Sequence, residues 1–155
     1  METTLLLTHS ALRYIVLIAI IYTVIRSWSG LLLNKEFNPI DRKAAAIAMG
    51  LVHIQVLIGI ALYIIRRHFD GFTVMKALKE AGNIEGAAYV RFWAIEHIAM
   101  MLIAAILITI GQSVSKKAHT PQGKYLRLTI FFTLGLLIIF AGIPWPFIKS
   151  WGVWL

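Results

Sequence analysis

Apolar residues run along this chain in four long blocks rather than in short alternations. The blocks cover residues 5–28, 44–65, 87–110 and 128–148, separated by more polar connections at 33–43, 66–86 and 111–127. Each block is close to the ~20 residues a helix needs to cross a bilayer's hydrocarbon core. A helix satisfies its own backbone groups, which makes it the default spanning element in lipid. The pattern predicts an all-α integral membrane protein, a single four-transmembrane-helix bundle over residues 1–155. Asn38-Pro39 marks a turn in the first connection, and Pro121 lies in the third. The second connection is long enough to hold an element of its own. Residues 73–82 put Val74, Leu78 and Ala81 on one side, with Lys76, Lys79 and Glu80 elsewhere, and they end on Gly82. That is the pattern of a short interfacial helix closed by a C-cap glycine, between helices 2 and 3.

Composition supports lipid as part of the solvent. Hydrophobic residues make up 59% of the 155 and charged ones 14%, against roughly 25% charged in a soluble domain. Mean hydropathy is +0.79. With no cysteine, disulfides, thiolate metal sites and covalent haem attachment through C-x-x-C-H are excluded. Met1-Glu2-Thr3-Thr4 lacks the basic region of a signal peptide, so the first block is expected to be a retained helix.

The net charge of +8 reads as span-flanking residues, not as a nucleic-acid surface. Connections one and three share a side. With Arg26, that side carries Lys35, Arg42, Lys43, Lys116, Lys117, Lys124 and Arg127, eight in all; the other carries seven. Setting aside Arg26, Arg13 and Arg91 as residues inside spans leaves seven against five. The positive-inside rule then puts connections one and three in the cytoplasm and both termini on the outer, non-cytoplasmic side, periplasmic if the membrane is the bacterial inner membrane.

Polar groups inside spans are costly and mark candidate sites. Here they are His9, Arg13, His53, Gln55, Arg91, Glu96 and His97, while His68 and His119 fall in connections and read as ordinary loop residues. His53 lies ~18 Å and His97 ~15 Å from the outer ends of their helices at 1.5 Å per residue. They are expected to face each other from adjacent antiparallel helices and to ligate one haem iron as a bis-imidazole pair. Gly50, Ala94 and Ala104 lie near them and leave room for a flat macrocycle or for close helix packing. A third helix starting at Phe92 would leave His97 only ~7.5 Å deep, with His9 as its better partner. The alternative for each histidine is a hydrogen bond that joins two helices.

Arg13 shares a helix face with His9 and needs an anion, either Glu96 or a haem propionate. Arg66 and Arg67 are further propionate candidates, or else interfacial anchors. Met100 and Met101 follow His97 by one turn and read as apolar filler. Pro144, Trp145, Pro146, Phe147, Trp151 and Trp154 read as an aromatic belt.

Four segments carry a family resemblance: Thr8-His9-Ser10-Ala11-Leu12-Arg13-Tyr14, Val52-His53-Ile54-Gln55-Val56-Leu57-Ile58-Gly59, Ala94-Ile95-Glu96-His97 and Ile143-Pro144-Trp145-Pro146-Phe147. Over nearly its whole length the chain resembles the small four-helix membrane proteins of Bacteroidota known as cytochrome B-like. The resemblance implies an inner-membrane protein and non-covalent haem b.

Three functions follow as expectations. The first is respiratory electron transfer through one haem b on His53 and His97, with His9 in reserve and Arg13, Arg66 and Arg67 on the propionates. A quinone or a larger respiratory complex would exchange the electrons, and a homo-oligomer is compatible with it. The second is an accessory or assembly subunit without a cofactor. The third is a metalloenzyme built on His9, Glu96 and His97.

Overall fold

The computed structural model describes residues 2–145. The belt residues Pro146, Phe147, Trp151 and Trp154 lie outside the described residues. Among those described, the chain is all helix: α1 (Glu2–Leu32), α2 (Pro39–Ile65), a 3-10 turn (His68–Asp70), α3 (Gly71–Glu80), α4 (Ile84–Arg91), one π-helical turn (Phe92–Glu96), α5 (His97–Lys116) and α6 (Pro121–Gly142). The segment from α4 through α5 is continuous, so four helices are long and apolar enough to cross a membrane. The protein is a multi-pass membrane bundle, with the short α3 between the second and third spans.

Local chemistry sets the helix starts. Asn38 caps α2, its Oδ1 accepting from the backbone N–H of Ile40 at 2.9 Å and of Asp41 at 3.2 Å. The Asp41 carboxylate accepts the Asn38 N–H in return, completing a capping box with Pro39 in the first turn. Thr120 caps α6 ahead of Pro121, accepting from the Gly123 N–H at 3.1 Å. After α3, Gly82 takes φ +74°, a left-handed turn that glycine adopts without steric cost.

α1 packs on α2 and α6, and α5 packs on the same two. The bundle order is therefore α1, α2, α5, α6 around a ring, with α1 and α5 diagonal. Ile20, Ala45, Ala48, Ala104, Ile108 and Phe132 are fully buried where the helices meet. Glycines allow the close approaches. A Cβ at Gly30 would strike the Tyr125 ring, and one at Gly111 would strike Phe131, the small-residue logic of helix packing in lipid. The outward faces carry exposed Ile18, Ile47, Leu57, Ile106 and Leu137. So large an apolar surface suits lipid and not water.

α4 does not continue the bundle. It packs on α3, and the π turn that follows it packs on the 3-10 turn. That leaves His97 at the start of the bundled part of the third span and sets the register of the candidate site.

Candidate functional site

At the bundle end that holds Glu2, Arg66 and α3 lies a cavity of about 270 Å³. His9, Ser10, Arg13, Gln55, Arg66, His68 and His97 are among its polar lining, and the remaining walls are mostly aliphatic and aromatic.

His97 sits just past the π turn, a wide turn that re-aims side chains and is frequent at functional sites. Its Nδ1–H donates to the Gly142 carbonyl of α6 at 2.8 Å. In the neutral ring this fixes the tautomer and leaves Nε2 with the lone pair, the arrangement a metal-ligating histidine uses. Trp93 packs on it with ring centroids 5.1 Å apart. His9 reaches in from α1. Its ring centroid is 6.4 Å from that of His97 and the planes are 72° apart. The backbone carbonyl of His9 accepts from Gln55 Nε2 at 2.8 Å. Its ring lies over Gly59, where a Cβ would stand 3.1 Å from Cε1. His9 Nδ1 and Gln55 Oε1 are both buried without a hydrogen-bond partner, and each such atom costs about 1–3 kcal/mol.

The expected pairing of His53 with His97 is not the one the helices make. His53 is exposed on the seam between α2 and α5, with Nε2 2.9 Å from Thr109 Oγ1. Thr109 spends its own proton on the Ala105 carbonyl, so His53 donates. Thr109 lies 12 residues beyond His97, ~18 Å along α5. The depth estimate failed because the first turns of the third span, α4, pack on α3 instead of opposing α2. At the level of His97 the partner on α2 is Tyr63, whose hydroxyl donates to the Ala94 carbonyl at 3.1 Å. Gly50, one turn from His53, faces open space.

The arginines divide. Arg13 lines the cavity, with its guanidinium over the Tyr14 ring and donating to the Tyr14 hydroxyl at 3.2 Å. It does not reach Glu96, which accepts from Arg91 Nε at 2.6 Å. That pair also turns Glu96 away from a metal site with His9 and His97. Arg66 lines the cavity and pairs with Glu2 at 3.0 Å. Arg67 is turned outward onto Asp70 at 2.8 Å. Among the described residues, no cluster of three or more His, Asp or Glu is placed to hold a metal ion.

His68 is the residue that sequence reasoning missed. Arg67 takes a left-handed φ of 53° and turns the chain back, so that His68 stacks on Trp93 at 6.5 Å and lies 5.8 Å from the Tyr63 ring. Burial, with the nearby Arg66 charge second, lowers the pKa of His68 below its ordinary value of 6.5. The result is a run of rings, His9, His97, Trp93, His68 and Tyr63, from the bundle interior to its end. A non-glycine residue in the left-handed region is not something spacing reveals.

Imidazole and guanidinium are donor types that a non-covalent haem uses. The two imidazoles meet edge-on, one carries a fixed tautomer and the other an unmatched buried nitrogen, and Arg13 and Arg66 stand among the lining residues.

Fold and site together define a four-helix membrane bundle with a half-buried histidine pair across its diagonal. No protein-family model, curated protein or solved structure matches the chain.

Proposed function

We propose that this protein is a small inner-membrane b-type haem protein that transfers electrons, in which His9 and His97 would hold the haem. The observation that carries the reading is the His9–His97 pair, facing across the bundle at 6.4 Å with His97 Nδ1 held by the Gly142 carbonyl. Arg13 and Arg66 would bind the propionates, and the aliphatic walls would exclude water. Bound haem would supply one-electron chemistry at its iron. A quinone or a larger respiratory complex is the partner class this chemistry calls for. The excess of basic residues at the opposite end favours an orientation with the haem end toward the periplasm. The likeness of the His9, His53, His97 and Pro144 segments to cytochrome B-like proteins of Bacteroidota supports the same reading.

A visible spectrum of the detergent-purified protein, oxidised and dithionite-reduced, tests it. The expected result is a sharp α-band and a pyridine haemochrome of b type. A flat spectrum from folded protein, after haem supplementation during growth, would sink it.

One observation favours a second reading. The cavity of about 270 Å³ is below the ~300 Å³ at which ligand pockets usually begin, and a macrocycle would have to part the side chains lining it. In that reading the protein is a cofactor-free accessory subunit. The bonds from His97 to Gly142, Gln55 to His9 and His53 to Thr109 then serve only to join helices.

A further inference from the structure

At the opposite end of the bundle, α2 begins, α5 ends and α6 begins. A cleft of about 530 Å³ lies between them. Arg42 and Lys43 enter it from the first turns of α2, Lys116 from the last turn of α5 and Lys124 from the first turn of α6. Four cations thus line one space, and no carboxylate lines it with them. The nearest acid in sequence, Asp41, is turned into the bundle, where Arg26 and Tyr125 each hold it at 2.6 Å. Among the described residues, none of the four cations makes an ion pair. Lys124 lies over the Phe37 ring at 5.3 Å, which keeps its stem at the edge of the cleft.

Gln112 lines the same space. It is 2% exposed, and its amide Nε2 is buried with no hydrogen-bond partner. A buried donor without an acceptor, among four cations that lack an anion, lacks the same thing they do. A phosphate oxygen meets both needs, accepting from the amide and neutralising the cations. Basic clefts between membrane helices at the headgroup level are places where phosphorylated headgroups dock.

We propose that this cleft binds a phosphate group, delivered by an anionic phospholipid headgroup or by a soluble phosphate. The proposal is independent of haem, whose site is at the other end of the bundle.

The test uses the full chain in neutral detergent, titrated separately with short-chain phosphatidylglycerol, short-chain phosphatidylcholine and inorganic phosphate, with binding read as a rise in melting temperature. Phosphatidylglycerol is expected to bind and phosphatidylcholine not to. The Arg42→Gln/Lys116→Gln double variant, both positions exposed, should bind at least tenfold more weakly. Lys76→Gln/Lys79→Gln removes the same charge from α3 and should bind as the native protein does. Gln112→Met removes the buried amide without changing the charge and should also weaken binding. If inorganic phosphate displaces the lipid, the source is a soluble phosphate; if it does not, the source is the headgroup, and either result upholds the site. Equal binding by the native protein and the Arg42/Lys116 variant, equal loss in the α3 variant, or no binding of any anion overturns it.

Discussion

The imidazole rings of His9 and His97 face each other at 6.4 Å although their helices are diagonal neighbours in the bundle. Both rings line the cavity at that end of the bundle and are half-buried. His53, the third histidine in a span, is exposed on the seam between α2 and α5. The three alanine variants separate these positions. His9→Ala and His97→Ala are each expected to abolish the b-type spectrum, while His53→Ala leaves it in place and loses only the bond to Thr109. Loss of the spectrum in His53→Ala with retention in His9→Ala would reverse the ligand assignment. Thermal unfolding of each variant distinguishes a lost ligand from a lost fold.

Gly59 is the floor under His9. An added Cβ would stand 3.1 Å from His9 Cε1, closer than ordinary van der Waals contact, so a larger side chain must push the ring. Gly50 is on the same helix, and a Cβ there meets nothing. Gly59→Val is expected to lower haem retention and broaden the α-band, and Gly50→Val to do neither. Haem content per folded protein for the two variants, measured side by side, checks this. Equal content in both would mean that the His9 ring position does not matter to the site.

The hydrophobic blocks made the four spans legible, but their ends were not. The second helix begins at Pro39, earlier than hydropathy suggested, because the Asn38–Asp41 capping box is polar. The fourth begins at Pro121, because its first turns carry Gln122, Lys124 and Arg127. The cost of burying polar groups in lipid singled out His9, Arg13 and His97. Which histidines would meet was not legible. That depends on how far α4 runs outside the bundle, a matter of packing on α3 that local pattern does not encode. Asp41 also passed unnoticed. It reads as one more charge in a basic connection, and only the fold turns it inward.

Asp41 is 2% exposed and joins three elements. Its Oδ1 accepts from Arg26 Nε at 2.9 Å and Nη2 at 2.6 Å, its Oδ2 accepts from the Tyr125 hydroxyl at 2.6 Å, and it closes the α2 capping box. Removing the carboxylate ends the capping box and the bonds from both Arg26 and Tyr125, although Arg26, 35% exposed, can turn to solvent. Tyr125→Phe removes only the hydroxyl, whose bond to a charged group is worth about 1.5–3 kcal/mol. Asp41→Ala is therefore expected to lower the melting temperature in detergent more than Tyr125→Phe does. Both should leave the spectrum of correctly folded protein unchanged, since the haem site is at the other end. Equal stability of Asp41→Ala and the native protein would contradict the network's role.

His68 contributes a pH dependence that its own variant isolates. Burial, and the Arg66 charge after it, hold its pKa below the ordinary 6.5. In the unfolded chain the ring takes its proton near that ordinary value, so between the two pKa values the unfolded state binds more protons than the folded one. Stability then rises with pH across this window. The contribution of His68 is fully present above about pH 6.5 and is lost as the pH falls through its folded value. Melting temperatures measured from pH 7.5 down to pH 5 in the same detergent should decline for the native protein. The decline should be shallower in His68→Gln, which cannot take up the proton. The Trp93 ring stacked on His68 offers a local reporter, because protonation beside it should shift tryptophan emission over the same pH range. An identical slope in His68→Gln would assign the acid sensitivity to another group.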